Sequence, residues 1–483
     1  MVLTGEDSIV GDRAAALRCY NQARAEIQNA ANPNHQQLFY QLMCSSVIAD
    51  PTFNAGWQEV GHANNNLGVL HGAIAAYRRV LEFPDGPGEY DLNPRRRGEI
   101  LTTIGHLLQR IGMVDEAVSC LAQALEIDRT LSLAWMNMSL CDQNQGRLES
   151  SIECAREAYR QEPTHPAIEM ALAFALMFTG YYSEGLKHFE SRFAYKLRSF
   201  LSYPFPKWDG SPDKSVFLVG DQGIGDTLSF ARFVERAAKK SKFIHMAVQQ
   251  ELVRLFAASF QHIPNLNIIA LPCPWPPADC WSTFVSLPSC MNLTDEEIVN
   301  EPGIRIPPFQ APSTSWKSPD RKYHIGVSWA GSKANEIDRW RSFPLEHLLE
   351  LYRVPGIQLY SLQVGDRAME LHNAGCATLL RDLNPLIRDV SDTMGILPHL
   401  DLVIGCESIL GHICAAMNKE FWMAYSWHGR DFRTGYDGTK RLWTPKHRIF
   451  KQDRDAQWAP VFERITQALR ERVENLEQLE AAE

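Results

Sequence analysis

The chain has 483 residues, 45% of them hydrophobic, and carries a formal net charge of −9. Its length is typical of about three domains, and its acidic balance argues against a general nucleic-acid partner. No apolar run reaches the roughly 20 residues that span a bilayer, and residues 1–7 lack the basic and apolar segments of a signal peptide. We therefore expect a cytoplasmic protein without a membrane span.

The eleven cysteines are scattered along the chain, and none forms a Cys-x-x-Cys pair. This spacing favours reduced thiols over disulfides or zinc ligands. The single Asp-x-Asp triplet, which begins at Asp453, lies in a charged stretch and does not end an apolar strand. We therefore predict no metal site and no cofactor.

A 34-residue period runs through the N-terminal part, where Leu101, Trp135 and Glu169 occupy equivalent positions. Trp57 occupies the equivalent position of an earlier unit, and the ten extra residues before the next unit fall in a proline- and glycine-rich loop over 84–94. The pattern resembles the tetratricopeptide repeat family over residues of roughly 20–195. The resemblance implies an α-solenoid with a concave protein-binding surface. A structural arm without a peptide ligand is the alternative.

Beyond a proline-rich linker near residue 203, predicted strands alternate with predicted helices. The first series predicts strands over 216–219, 243–248 and 266–270, with helices over 226–239 and 249–259.

A second series predicts four further strands and three helices. Its strands cover 324–329, 357–362, 401–405 and 420–425, and its helices cover 345–352, 408–417 and 458–477. This alternation is typical of two α/β lobes with a ligand cleft at the carboxyl ends of their strands. We predict domains over 1–198, 199–320 and 321–483.

Five segments of this region occur in the order found in one enzyme family. They are 221–233 (DQGIGDTLSFARF), 325–331, 338–342, 360–363 and 389–412. Together they resemble the heptosyltransferase-like GT-B glycosyltransferases, in particular those fused to tetratricopeptide repeats. The resemblance implies a GT-B fold of two Rossmann-like lobes. It also implies an inverting, metal-independent transferase whose substrate is a nucleotide-sugar donor.

Asp226 is the candidate general base, because the acidic residue of this loop has that role in the resembling family. Inverting transfer needs a group that takes the proton of the acceptor. The alternative is that Asp226 only caps its helix, since aspartate is common at helix starts. Gly223 and Gly225 would let a ligand approach the backbone, or would simply make a tight turn.

The second lobe carries the other candidate donor-binding residues, at the carboxyl ends of its predicted strands. They are Ser328, Trp329, Gly331, Arg341, Gln363, Glu407, Ser408 and His412. Ser328 is alternatively a buried strand end, Arg341 an ion-pair partner of Asp338, and His412 a core residue.

Two regions depart from the family pattern. An Asp-Thr or Asp-Ser pair is usual where this chain has Glu407 and Ser408, and segment 422–443 also diverges. Our main hypothesis is transfer of a sugar to a protein, such as flagellin or another surface protein, that the repeat arm recruits. The alternatives are a non-catalytic scaffold with a degenerate transferase domain, or an enzyme that acts on a lipid or polysaccharide.

Overall fold

The computed structural model describes residues 11–27, 35–83, 92–194, 203–221, 223–333, 338–429, 431–435, 442–454 and 456–482. The chain forms two compact units, Met1–Ala171 and Leu172–Glu483. The division falls earlier than the predicted boundary at residue 198, which lies outside the described residues. The reason is that residues after Ala171 make contacts within the second unit; for example, the Ser183 N–H donates to Asp295 Oδ1 at 2.5 Å.

The first unit is built from helices that pack in consecutive pairs. The helices up to the unit boundary are α1 (Arg13–Ile27), α2 (His35–Ala49), α3 (Asn54–Asn66), α4 (Leu70–Glu82), α5 (Pro94–Arg110), α6 (Val114–Ile127), α7 (Ser132–Asn144), α8 (Leu148–Gln161) and α9 (Pro166–Thr179). The short connections within the pairs are typical of antiparallel helical hairpins. These hairpins agree with the predicted repeat; most of the predicted loop over 84–94 lies outside the described residues.

Glycines make these hairpins possible in two different ways. Gly68 and Gly112 end helices α3 and α5 with φ angles of 75° and 84°, a region that other residues rarely adopt. Gly105 instead lets α5 approach α6, because a Cβ there would lie 2.7 Å from Leu121 Cγ. Some glycines of the repeat thus end a helix, and others allow two helices of a hairpin to approach each other.

The second unit begins with α10 (Tyr182–His188) and a 3-10 turn over Phe189–Phe193. A four-stranded parallel sheet follows. Its strands are β1 (Ser215–Val219), β2 (Phe243–Val248), β3 (Leu266–Ala270) and β4 (Cys280–Thr283), in the order β3-β2-β1-β4. The accompanying helices are α11 (Ile224–Phe230), α12 (Val234–Lys240), α13 (Gln250–Ser259), α14 (Leu287–Cys290) and α15 (Asp295–Asn300). The predicted helix over 226–239 is divided by a 3-10 turn at Ala231–Phe233.

A six-stranded parallel sheet forms the rest of the second unit. Its strands are β5 (Tyr323–Ser328), β6 (Ile357–Ser361), β7 (Leu380–Asp382), β8 (Leu402–Cys406), β9 (Phe421–Tyr425) and β10 (His447–Lys451). Its helices are α16 (Asp338–Arg341), α17 (Glu346–Leu349), α18 (Met369–Asn373), α19 (Val390–Ile396), α20 (Ile409–Ala416) and α21 (Ala459–Ala482). The strands lie in the order β10-β9-β8-β5-β6-β7.

This order is that of a doubly wound α/β sheet, in which the first strand lies between the second and the fourth. Successive strands are added to one side of β5 up to β7 and then to its other side from β8 onward, so the strand order reverses between β5 and β8. These two strands pair through residues such as Ser328 and Gly405. In open α/β sheets, ligands bind outside the carboxyl ends of the strands at this reversal point. The equivalent point of the first sheet lies between β1 and β4.

The core of the six-stranded sheet is apolar on both faces, as parallel strands require. All five residues of β6 are buried, and Trp329 and Phe343 belong to the same buried cluster as Phe462 of α21, whose ring centroid lies 4.7 Å from that of Phe343. No helix among the described residues is both long and apolar enough to cross a membrane.

Candidate functional site

Asp226 lies in the first turn of α11, after the glycine-rich turn that follows β1. Its Oδ2 accepts a hydrogen bond from the Gly223 N–H at 3.3 Å, which is the carboxylate half of a capping box. Its Oδ1 lies 3.0 Å from Nη1 of Arg433, and the side chain is 31% exposed. Asp226 therefore caps its helix and also faces a cation from the second sheet.

Gly225 lets α11 approach α20 closely. A Cβ at this position would lie 2.7 Å from Nε2 of His412, whereas a Cβ on Gly223 would meet only Asp226 Oδ2 at 3.8 Å. The His412 Nδ1 in turn lies 3.0 Å from the Ser229 hydroxyl. Of the two predicted glycines, Gly225 thus has a packing role that is visible in the structure.

His412 is a neutral imidazole at physiological pH. Burial, together with the nearby charge of Arg433, lowers the pKa of His412 to about 4. Its contact with Ser229 joins α20 to α11 and so supports the Asp226 turn from the other side.

Ser328 and Ser408 lie at the reversal point of the second sheet. Ser328 ends β5 and is 3% exposed, and Ser408 is the N-cap of α20. Neither hydroxyl has a nitrogen or oxygen partner within the described parts of the chain, and Ser408 makes no capping bond to its own helix. Buried polar atoms are rarely left without partners in folded proteins, so both hydroxyls are candidates for ligand contact.

Glu407 directly precedes Ser408 and is a carboxyl group with a raised pKa. Burial, reinforced by the charge of Asp431, raises the pKa of Glu407 to about 7, although Arg341 and Arg433 act in the opposite direction. Its Oε2 atom is buried, and no partner for it is found in the described residues. Glu407 therefore changes charge near neutral pH, which is a frequent property of functional carboxyl groups.

Asp431 and Arg433 belong to the same cluster, and sequence reasoning did not identify them. Asp431 Oδ1 accepts from Arg433 Nε at 2.7 Å and from the Arg433 backbone N–H at 3.0 Å. Burial opposes the charge of Arg433, but Asp431 and Asp226 outweigh it and raise the pKa of the guanidinium above its usual value. The one available signal was position: both residues follow a predicted strand, 420–425, at its carboxyl end.

Other predicted donor-contact residues are occupied by bonds within the protein. Gln363 Oε1 accepts from the backbone N–H groups of Trp329 and Ala330 at 3.1 and 3.0 Å, and its Nε2 donates to Ala330 O at 3.0 Å. The Trp329 ring is fully buried, and its Nε1 donates to Glu370 Oε2 at 2.8 Å. Gln363 and Trp329 therefore fix the turn after β5, and a direct donor contact for either stays a prediction.

Gly331 and Arg341 meet at Asp338. The Gly331 N–H donates to Asp338 Oδ1 at 3.0 Å, and Arg341 Nε lies 3.4 Å from the same oxygen. Arg367 contacts the other oxygen of Asp338 at 2.9 Å. The structure thus contains the ion pair that was the alternative for Arg341; its contact with a phosphate stays a prediction.

The reversal point of the first sheet is filled by the protein's own arginine. Arg192, from the 3-10 turn after α10, is 4% exposed and lies 3.2 Å from Asp221 Oδ2. Its Nη2 donates to Thr283 Oγ1 at 2.9 Å and to Ser286 Oγ at 2.7 Å. Because Arg192 occupies the space outside β1 and β4, the second sheet offers the better ligand site.

Another groove, of about 560 Å³, lies along α12 and the segment 301–305. It adjoins the small pocket that His412 and Arg433 line, because Arg232, Gly303 and Ile304 border both. Two of its cations are ion-paired: Arg236 with Glu297 and Glu301 at 2.8 and 2.7 Å, and Lys239 with Glu235 at 3.1 Å. None of the residues that line the groove belongs to the ends of β5 or β8, so we place the site at those strand ends.

The described residues contain both potential metal ligands and cysteines. No group of three or more potential ligands is arranged there to hold a metal ion. All eleven cysteines are free thiols in the structure.

The comparisons with known proteins concern the repeats. The tetratricopeptide repeat family model matches residues 98–131, which cover most of α5 and α6. No significant match was found among the curated proteins.

Three solved structures illustrate the likeness, all with TM-scores near 0.3. MamA from Desulfovibrio magneticus RS-1 is 17% identical, with 40% of this chain and 100% of that chain covered and a TM-score of 0.32. YrrB, described as a TPR protein with an unusual peptide-binding site, is 13% identical, with 39% and 90% covered and a TM-score of 0.30. PilW, described as a type IV pilus biogenesis factor, is 17% identical, with 37% and 76% covered and a TM-score of 0.31. With the family match and the paired helices, the first unit is an arm that contains a tetratricopeptide repeat.

Proposed function

We propose that the second unit is an inverting glycosyltransferase of the GT-B type. In this proposal, a nucleotide-sugar donor binds outside the carboxyl ends of β5 and β8, and Asp226 is the general base. The observation that carries the proposal is the meeting of two strand ends. The Asp226 carboxylate, after β1, contacts Arg433 of the second lobe, and at the reversal point of the second sheet the Ser328 and Ser408 hydroxyls have no nitrogen or oxygen partner among the described residues.

The donor phosphates fit the N-terminus of α20. The first N–H groups of a helix lack partners within the helix and attract anions. Ser408, the N-cap, leaves its hydroxyl uncommitted to the helix, and the buried Ser328 hydroxyl lies at the adjacent strand end. Both hydroxyls would donate to phosphate oxygens.

Asp226 supports transfer because it reaches this cluster from the first sheet, through its contact with Arg433 at 3.0 Å. The acceptor hydroxyl would give its proton to the Asp226 carboxylate while its oxygen forms a bond to the anomeric carbon of the sugar. The bond from that carbon to the phosphate oxygen breaks, and the nucleotide leaves with the electron pair. The 31% exposure of Asp226 leaves it accessible to an acceptor.

The repeat arm supports a protein acceptor. Stacked helical hairpins offer extended surfaces on which other proteins bind, and a sugar acceptor held there, such as flagellin, would be recruited to the same chain. Eleven free thiols are typical of a reducing compartment, so we place the reaction in the cytoplasm.

The test is turnover of nucleotide sugars by the intact protein, followed as release of the free nucleotide with and without candidate protein acceptors. We expect Asp226→Asn to lower the rate by about 100-fold or more, the usual contribution of a general base. The exposed Asp453→Asn serves as the matched control and should turn over donor at the wild-type rate. A folded Asp226→Asn protein with wild-type turnover would exclude Asp226 as the base.

A non-catalytic scaffold is the second candidate, and specific contacts favour it. Gln363, Trp329 and Arg341 are all engaged within the protein, and Glu407 replaces the usual aspartate. Calorimetric titration with UDP, GDP, CMP and ADP separates the two: binding of one nucleotide supports the transferase, and binding of none supports the scaffold.

A further inference from the structure

Arg433 is a buried cation held between two carboxylates at the candidate site. Asp431 fixes its position through the 2.7 Å bond from Nε, and Asp226 lies 3.0 Å from its Nη1. Its side chain is 9% exposed. No bound ligand is needed to explain the contact with Asp431, because both groups come from the same short loop.

The contact with Asp226 is of a different kind. The 3.0 Å separation is that of an ion pair, yet Nη1 has no hydrogen bond of proper alignment among the residues the structure describes. A buried guanidinium nitrogen normally makes such bonds, and leaving one unmade is costly. Nη1 is therefore available for a better-placed anionic oxygen.

The surroundings of Arg433 include the start of α20. Glu407 and His412 both lie within electrostatic range of its charge, and Glu407 directly precedes the N-cap Ser408. Arginine binds phosphate oxygens well because its planar guanidinium presents several N–H groups in a fixed geometry. Arg433 and His412 of α20 also line the same small pocket, so the cation lies beside this helix.

We propose that Arg433 binds a phosphate group of the ligand, and that Asp226 occupies this cation while the ligand is absent. Binding of the phosphate then frees Oδ1 of Asp226 from the guanidinium. The phosphate contact does not depend on catalysis. The release of Asp226 rests on the proposed function, in which the freed carboxylate takes the proton of the acceptor only after the donor has bound.

Competition for one cation makes an unusual prediction about affinity. Replacing Asp226 by asparagine removes the competing charge, so it should tighten the binding of an anion. Replacing Arg433 by methionine removes the cation and should weaken it. Structural damage alone would weaken anion binding in both variants, so effects of opposite sign would identify the competition.

The experiment is calorimetric titration of the intact protein with inorganic pyrophosphate and with UDP. We expect the affinity for both to rise about tenfold in Asp226→Asn and to fall about tenfold or more in Arg433→Met. Arg433→Lys, which keeps the charge but loses the planar contact, should lie between Arg433→Met and the wild type. Arg353→Met, at an exposed arginine of the 3-10 turn before β6, should bind like the wild type.

Four outcomes separate this inference from the proposed function. Unchanged or weaker binding by folded Asp226→Asn overturns the competition, whether or not Arg433→Met folds. Wild-type affinity in Arg433→Met overturns the phosphate contact. Binding with the expected signs but without sugar transfer supports the inference and rejects the transferase. Absence of any binding to the wild-type protein overturns both.

Discussion

At the scale of single residues, the candidate site is an arrangement of charges that no single motif encodes. Asp226, Glu407 and Asp431 are three carboxyl groups within electrostatic range of one another, with Arg433 among them. Their mutual repulsion, together with burial, keeps one of them, Glu407, near half ionisation at neutral pH. The site can therefore take up a proton when a negatively charged ligand arrives.

This arrangement predicts pH-dependent nucleotide binding. Because burial, reinforced by Asp431, raises the pKa of Glu407 to about 7, the group is neutral below that pH and anionic above it. An anionic carboxylate repels a phosphate, so UDP affinity should fall as the pH rises from 6 to 8. Glu407→Gln cannot ionise and should keep its affinity better at pH 8.

The measurement is the ratio of Glu407→Gln affinity to wild-type affinity across this range, since the ionisation of UDP itself cancels in the ratio. We expect the ratio to grow by about threefold or more between pH 6 and pH 8. A ratio that does not change with pH would mean that Glu407 does not face the phosphate.

Residue positions at strand ends were predictable from the sequence, but their partners were not. Ser328, Glu407 and Ser408 follow apolar strand patterns, so their place at the carboxyl edge could be inferred. Arg192 could not be found in this way, and for Arg433 the predicted strand over 420–425 indicated only a position. Their roles depend on contacts with Asp226 and Asp221, and only the folded sheets bring these charges together.

At the scale of elements, the junction of α11 and α20 positions Asp226 against the second sheet. The junction depends on a glycine at position 225 and on the Ser229–His412 contact at 3.0 Å. A helix with a side chain at that position would have to move away from α20. Such a movement would also separate Asp226 from Arg433.

Gly225→Ala therefore tests the junction. The added methyl group would overlap the His412 ring, and overpacking of this kind destabilises by about 1–3 kcal/mol. We expect a lower melting temperature and faster amide hydrogen exchange in α11 and α20. Gly223→Ala is the matched control, because its φ of −125° suits alanine and the new Cβ would meet only an atom 3.8 Å away.

A second variant identifies the cause. Adding His412→Ala to Gly225→Ala removes the overlap and should restore part of the lost stability, measured as a double-mutant cycle. Strictly additive losses in the double variant would show that the imidazole is not what Gly225 accommodates.

Element prediction succeeded for the helical period and for the strands β1, β2 and β3. It missed β4 and β7, which have only four and three residues. It also missed β10, which is as long as β1 but, like β7, carries charged side chains. Pairing within the sheets, rather than local pattern, determines these strands.

At the scale of the whole molecule, the chain joins a repeat arm to an α/β unit with two parallel sheets. The order of the six strands could not be read from the sequence, although it decides where the ligand site lies. Arg192 occupies the reversal point of the first sheet, whereas at that of the second the Ser328 and Ser408 hydroxyls have no nitrogen or oxygen partner among the described residues. The reversal point of the six-stranded sheet is therefore the better candidate for ligand binding than that of the four-stranded sheet.

The most direct test of the account is a structure of the intact protein with UDP, or with whichever nucleotide binds in calorimetry. We expect phosphate oxygens within hydrogen-bond distance of Ser408, at the start of α20, and of Arg433. We also expect the separation between Asp226 and Arg433 to be longer than 3.0 Å. A nucleotide bound away from the ends of β5 and β8, with the ion pair intact, would contradict it.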